Sequence, residues 1–112
     1  MTPQLIGTKK SKDTRRIERF LKERRIDFQF LDIAQKTPGP GELDAVAARV
    51  GGHEELIDPE SKSYRKRGMA YMEFNAREEL LEDPGLLRLP IVRTDAGAAV
   101  NPDEEELKRL LA

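Results

Sequence analysis

Few residues of this 112-residue chain can take part in covalent or redox chemistry. The chain has no cysteine and a single histidine, His53. Without cysteine it can form no disulfide, no thiolate metal site and no thiol nucleophile. One histidine leaves no histidine-rich metal site, so we expect no metal and no other cofactor. His53 follows a pair of glycines, and we interpret it as a residue of a surface loop.

Ser11 is the remaining candidate nucleophile, at the end of a lysine-rich loop. No base stands near it in the sequence, so we interpret it as a helix-entry residue rather than a catalytic serine. Ser11, Thr14 and the unpaired N–H groups of the first helical turn are suited to hold an anion or a partner. Positive charge around them comes from Lys9, Lys10, Lys12, Arg15 and Arg16. The alternative is a solvated basic loop.

The elements that position these residues follow from the spacing of apolar side chains. Residues 4–7 predict a strand, and Asp13 or Thr14 is predicted to cap the helix that follows. The apolar face of this helix consists of Ile17, Phe20 and Leu21. Residues 28–31 predict a second strand, parallel to the first.

The rest of the chain predicts helices and a β-hairpin. In order, these are a loop at 37–41, helices at 42–50 and 75–82, a hairpin of strands 90–93 and 98–100, and a last helix that Asn101-Pro102 begins. The sequence therefore predicts an α/β fold of the thioredoxin type. A four-stranded mixed sheet carries flanking helices, with extra helices between its βαβ and ββα units. At this length we expect one domain, residues 1–112.

Four segments carry a resemblance to a known family. They are Ile6-Gly7-Thr8-Lys9-Lys10-Ser11 with Ile26-Asp27-Phe28 after the basic helix, Ser61 to Gly68 (SKSYRKRG), Leu80 to Val92 (LLEDPGLLRLPIV) and the acidic Asp103 to Leu107. In this order they resemble the arsenate reductase ArsC/Spx family, which has GTTYRKLG and LLxDPxLLxRPIV in the second and third segments. The resemblance covers nearly the whole chain and implies the thioredoxin-like fold.

The positions at which the chain departs from the family pattern bear on function. The family cysteine falls on Ser11, and the second cysteine of Spx-like members falls on Thr14. Two arginines fall on Glu60 and Leu89, with Arg88 one position earlier. Pro90 resembles the family's cis-proline. In arsenate-reducing relatives the cysteine and the arginines bind and reduce the oxyanion, so the resemblance implies a site that has lost this chemistry.

Elementary chemistry agrees with that implication. A serine hydroxyl cannot form the disulfide through which a reductase thiolate is regenerated. A glutamate in place of an arginine also reverses the charge that the loop offers to an oxyanion.

Our leading hypothesis is therefore a redox-inactive, cytoplasmic bacterial protein that acts by binding another protein, without enzymatic activity. Spx-like relatives bind RNA polymerase, so the resemblance suggests that partner class and a regulatory role related to transcription. Arg15, Arg19 and Lys22 share one helix face that suits an acidic partner. The alternative is a glutathione- and glutaredoxin-dependent arsenate reductase-like enzyme, if Ser11 replaces a native cysteine.

Composition disfavours two further classes of function. With 20 basic and 21 acidic residues the formal net charge is -1, which argues against direct nucleic-acid binding. No apolar run approaches the roughly 20 residues that span a bilayer, and the N-terminus lacks the apolar segment of a secretory signal. We therefore expect no membrane partner.

Overall fold

The computed structural model describes every residue, Met1–Ala112. The regular elements are β1 (Gln4–Gly7), α1 (Lys12–Glu23), β2 (Gln29–Asp32), α2 (Pro40–Val50), α3 (Lys62–Lys66), α4 (Ala76–Glu82), β3 (Ile91–Thr94), β4 (Gly97–Val100) and α5 (Glu104–Leu111). Short 3-10 helices lie at His53–Leu56, Met69–Tyr71 and Pro84–Leu86. The chain forms two compact units, one of residues 1–36 and 89–112 and the other of residues 37–88. The expectation of one domain stays a prediction.

The first unit contains the sheet, whose strand order is β2-β1-β3-β4. β1 runs parallel to β2 and antiparallel to β3, and β3 pairs with β4 in an antiparallel hairpin. The predicted four-stranded mixed sheet is therefore confirmed. Strand boundaries differ by at most one residue; Phe28 and Pro90, for example, lie just outside β2 and β3.

The core of the first unit lies between the sheet and the helices α1 and α5. Its fully buried side chains are Leu5, Ile17, Leu21, Val92 and Leu107. Phe20, Leu110 and Leu111 pack against them while partly buried. The predicted apolar face of the first helix is thus the buried one. The Thr94 hydroxyl donates to the Leu110 carbonyl at 2.7 Å, which joins α5 to β3.

Two helix starts of the first unit differ from the prediction. Ser11, not Asp13 or Thr14, caps α1, so the helix already begins at Lys12 within the predicted loop. Asp103, not Asn101, caps α5. Its carboxylate accepts from the Glu106 N–H at 2.9 Å, and the Glu106 carboxylate accepts from the Asp103 N–H at 3.4 Å. This reciprocal pair satisfies two donors of the first turn, whereas Asn101 satisfies none of them.

The second unit begins with a helix that is longer than predicted. α2 starts at Pro40 rather than at Glu42, because the first position of a helix needs no N–H donor and favours the φ angle of proline. The Gly39 N–H donates to the Glu42 carboxylate at 3.2 Å. Gly51, with φ of 102°, ends the helix as predicted.

A short antiparallel pairing, which the sequence did not predict, stabilises the second unit. Ile57 and Leu87 form an isolated β-bridge. On either side of it, the Asp58 N–H donates to the Leu86 carbonyl at 2.7 Å and the Arg88 N–H to the Leu56 carbonyl at 2.8 Å. The buried side chains of this unit include Leu43, Val46, Leu56, Met69, Leu80 and Leu86.

None of the helices is long and apolar enough to cross a membrane.

Candidate functional site

Ser11 occupies the turn between β1 and α1. Its Oγ accepts a hydrogen bond from the Thr14 N–H at 3.2 Å, and its own N–H donates to the Thr8 carbonyl at 3.0 Å. The hydroxyl thus satisfies one of the unpaired N–H groups of the first helical turn. No histidine, aspartate or glutamate is hydrogen-bonded to this hydroxyl, so no base is in place to activate it.

Thr14 is a structural residue at this turn. Its side chain is fully buried, and its hydroxyl accepts a long hydrogen bond of 3.4 Å from the Thr8 N–H. The threonine packs against the end of β1, where a Cβ on Gly7 would lie 2.5 Å from the Thr14 Oγ1. Gly7 is therefore required for this close approach of helix and strand, and Thr14 holds the loop that presents Ser11.

The cations of residues 9–24 fall into two groups. Arg16, Lys22 and Arg24 are paired, with Asp13 at 3.7 Å, Glu18 at 3.6 Å and Glu104 at 3.3 Å respectively. The other group forms no ion pair and is exposed to solvent. It consists of Lys9, Lys10, Lys12, Arg15 and Arg19, and we call it the α1 basic surface. Lys22 was expected to share the face of Arg15 and Arg19, but its charge is offset by Glu18.

Pro90 is connected to the start of α1 through Asn101. The Leu89-Pro90 peptide bond is cis, as the family resemblance implies, and Pro90 is buried. Its carbonyl accepts from the Asn101 N–H at 2.6 Å. The Asn101 side-chain oxygen in turn accepts from the Arg16 guanidinium at 3.0 Å. Arg16 therefore fixes the loop between β4 and α5, a role that its place in a run of basic residues did not reveal.

Glu60 and Arg88 belong to the second unit, whereas Ser11, Thr14, Leu89 and Pro90 belong to the first. Glu60 forms an ion pair with Arg65, which offsets its charge. The Nε of Arg88 donates to the Ile57 carbonyl at 2.9 Å. The half-buried Leu89 offers no charge to an anion.

The second unit also contains a charged cluster that the sequence did not indicate. Asp44 accepts from the Nε and Nη2 atoms of Arg77 at 2.8 and 3.1 Å, and it lies 2.8 Å from the Nε2 of His53. The hydrogen bonds of Arg77 and then of His53 lower the pKa of Asp44 from 3.8 to about 2. His53 is thus in a short helix with a fixed partner, not in the predicted loop.

No group of three or more histidine, aspartate and glutamate side chains is arranged to hold a metal ion.

The chain is similar in sequence to a bacterial regulator. It is 33% identical over 101 residues to the global transcriptional regulator Spx of Enterococcus faecalis, an alignment that covers 87% of this chain and 76% of that protein. No family model matches the chain.

Solved structures share the whole fold of the chain. The YffB protein superposes with a TM-score of 0.85 at 18% identity, covering 99% of this chain and 100% of that one. An arsenate reductase from Vibrio cholerae superposes with a TM-score of 0.83 at 19% identity, covering 98% of both chains. These likenesses establish the thioredoxin-like fold with its inserted helices, and the predicted fold class is confirmed.

Proposed function

The chain belongs to the arsenate reductase ArsC/Spx family, and on that premise we propose that it works without redox chemistry, by binding another protein. The role we propose is a regulatory one related to transcription, in the bacterial cytoplasm. The chain is 33% identical to the transcriptional regulator Spx, and this similarity supports a regulatory role.

The observation that carries the proposal is that position 11 is a serine whose hydroxyl serves as a helix cap. This residue stands where the family has its reactive cysteine, and its hydroxyl caps α1 by accepting from the Thr14 N–H. A serine in this position keeps the loop and helix start while it removes the thiolate and the disulfide chemistry. No other residue of the chain can replace that thiol, because the sequence has no cysteine.

The positions that would hold an oxyanion support the same proposal. In reductases of the family, arginines stand where this chain has Glu60 and Leu89. Glu60 is an anion that is already paired with Arg65, and Leu89 has no charge. At these two positions the chain thus has a carboxylate and an apolar side chain in place of two cationic ligands for an oxyanion.

The α1 basic surface supports binding to an acidic protein. Five cations within residues 9–19 are exposed and have no carboxylate partner in the structure, although the chain as a whole is nearly neutral. Uncompensated charge on one surface accelerates association with a surface of opposite sign. Family analogy suggests RNA polymerase as the protein that supplies such a surface.

The test is direct binding of RNA polymerase to the immobilised protein, measured by biolayer interferometry. We expect the double variant Arg15→Glu, Arg19→Glu to associate about tenfold more slowly at low ionic strength, and the difference to shrink in high salt.

The matched control is the double variant Lys36→Glu, Arg109→Glu. It makes the same change in net charge on exposed residues of the same unit, and we expect it to bind like the unmodified protein. Equal association rates for all three proteins would contradict the proposed surface. Turnover of arsenate with glutathione and glutaredoxin above the enzyme-free control would contradict the redox-inactive role.

A further inference from the structure

The second unit contains a pocket that the proposed function does not use. It has a volume of about 210 Å³ and is lined by Glu54, Ile57, Pro59, Tyr64, Phe74 and Arg88. All six residues lie within residues 37–88. A cavity of about 150 Å³ accommodates benzene, so this pocket has room for one leucine or phenylalanine side chain.

Arg88 is held at this pocket in a fixed position. Its backbone N–H donates to the Leu56 carbonyl at 2.8 Å, and its side-chain Nε donates to the Ile57 carbonyl at 2.9 Å. These bonds belong to the short antiparallel pairing around Ile57 and Leu87. The guanidinium is therefore attached to a backbone wall of the pocket, with its Nη groups still available as donors.

The charge of Arg88 is not neutralised within the protein. Arg65, Arg67 and Arg77 of the same unit each form an ion pair with a carboxylate. Arg88 forms none, not even with Glu54, which lines the same pocket. An exposed, positioned guanidinium without a carboxylate partner is a natural site for a carboxylate from another molecule.

Apolar side chains supply the rest of the pocket and continue beyond it along the chain. Ile57, Pro59, Tyr64 and Phe74 form the apolar part of the lining. Just before Phe74 come Tyr71, which is 95% exposed, and Met72, which is 45% exposed. Neither belongs to the lining, so the segment presents apolar area outside the cavity as well. This exposed apolar area is available to the residues that flank a side chain bound in the pocket.

We propose that this pocket binds a peptide segment of a partner protein that carries a carboxylate side chain next to one leucine or phenylalanine. The apolar side chain fills the pocket against Phe74 and Tyr64, and the carboxylate accepts hydrogen bonds from the Arg88 guanidinium. Tyr71 and Met72 contact the flanking peptide. This second binding site lies in a different unit from the α1 basic surface, so either site can fail in experiment while the other holds.

The probe is a set of N-acetylated, C-amidated hexapeptides in which glutamate precedes or follows leucine or phenylalanine between alanines. Two controls replace the glutamate by glutamine or the apolar residue by alanine. Titration into the isotope-labelled full chain, followed by NMR, is expected to shift the signals of Ile57, Tyr64, Phe74 and Arg88. Both control peptides are expected to bind about tenfold more weakly, because each loses one of the two contacts.

Variants of the protein test the same two contacts, those of Arg88 with the carboxylate and of Phe74 with the apolar side chain. Arg88→Gln is expected to weaken binding of the acidic peptides about tenfold and to leave the glutamine peptide unaffected. Phe74→Ala is expected to remove the preference for leucine or phenylalanine over alanine. Arg49→Gln is the matched control, since Arg49 is exposed, unpaired and in the same unit.

Several results would overturn the proposal. One is that no NMR signal shifts at millimolar peptide concentration. Another is that only signals of residues outside the pocket shift. Equal affinity for the glutamate and glutamine peptides would remove the role of Arg88, even if the Arg88→Gln protein failed to fold. Binding of N-acetyl-leucine as tight as that of the hexapeptides would identify a small-molecule pocket instead.

Discussion

A single atom separates Ser11 from the cysteine that the family resemblance implies for this position. The oxygen gives the side chain the acceptor that caps α1, but it has neither the accessible thiolate nor the redox couple of a cysteine. Thr14 also has a structural role, because its side chain is buried against Gly7. Both residues therefore stabilise the β1–α1 turn, through the hydrogen bond of Ser11 and the packing of Thr14.

Ser11→Ala is expected to destabilise the protein by about 1 kcal/mol, because the Thr14 N–H loses its side-chain acceptor. Ser11→Asp is the matched variant. It keeps an acceptor and places a negative charge at the positive end of α1, so it is expected to retain the stability. Urea unfolding followed by circular dichroism measures both changes. Identical unfolding midpoints for Ser11→Ala and the unmodified protein would show that the observed hydrogen bond contributes nothing.

Gly7→Ala is expected to destabilise the protein by about 1–3 kcal/mol, as overpacking does in other cores. The added methyl group would lie 2.5 Å from the Thr14 Oγ1 and 2.6 Å from its Cγ2. Thr14→Ala removes both atoms, so the double variant is expected to be more stable than the sum of the two single changes predicts. Thermal unfolding of the four proteins measures this coupling. Additive changes would mean that Gly7 and Thr14 are not in contact.

At the scale of elements, Asp44 connects three segments of the second unit. It lies on α2 and contacts Arg77 of α4 and His53 of the intervening 3-10 helix. The two partners hold the carboxylate in its charged form and lower its pKa from 3.8 to about 2, with the bond to Arg77 as the larger cause. Asp44 thus favours the folded state whenever it is ionised in the unfolded chain.

This linkage predicts a pH dependence of stability with a definite sign. Because the folded-state pKa is the lower one, the contribution of Asp44 is complete above about pH 4 and is lost as the pH falls towards about 2. Asp44→Asn is expected to flatten the fall of the unfolding free energy over this range, and Arg77→Gln to raise the pKa of Asp44 towards 3.8. Urea unfolding from pH 5 to 2 and NMR titration of the carboxyl measure the two effects.

Glu82→Gln is the control for the Asp44→Asn variant. It removes an exposed carboxylate of the same unit that has no ion-pair partner. Its pH profile is expected to follow that of the unmodified protein. If Asp44→Asn gave the same profile as well, the cluster would not contribute to stability.

The sequence predicted the elements better than the contacts between them. Ile17 and Leu21 identify a helix face because the helical period is repeated in neighbouring residues. Helix starts were less predictable, because several polar residues compete for each cap, as Ser11 and Thr14 do. The pairing of Leu56–Asp58 with Leu86–Arg88 joins residues about thirty positions apart, and no local pattern contains that information. Arg88 was singled out beside Leu89, but its fixed position at a pocket follows from that pairing.

At the scale of the whole molecule, a net charge near zero does not mean that every charged residue has a partner of opposite sign. The 20 basic and 21 acidic residues almost cancel, but composition does not reveal which of them are paired. Asp13, Glu18 and Glu104 offset Arg16, Lys22 and Arg24, whereas the α1 basic surface and Arg88 have no such partner. Positive charge without an ion-pair partner therefore remains on these residues, and they carry both binding proposals.

The absence of thiols leads to a prediction about how the whole protein responds to oxidants. Diamide oxidises thiols to disulfides, and this chain offers it no target. Treatment of the chain with diamide, followed by removal of the reagent, is therefore expected to leave the melting temperature, the migration on non-reducing gels and the proposed binding of RNA polymerase unchanged, and dithiothreitol is expected to have no effect on the chain. Ser11→Cys is the matched variant. Its thiol lies at the N-terminus of α1 beside Lys10 and Lys12, so its pKa should fall below the usual 8.5 and it should form disulfide-linked dimers with diamide.

A change in partner binding by the unmodified protein after diamide treatment would contradict a redox-inactive regulator. A Ser11→Cys protein that stays monomeric would show instead that this loop does not present its side chain to other molecules.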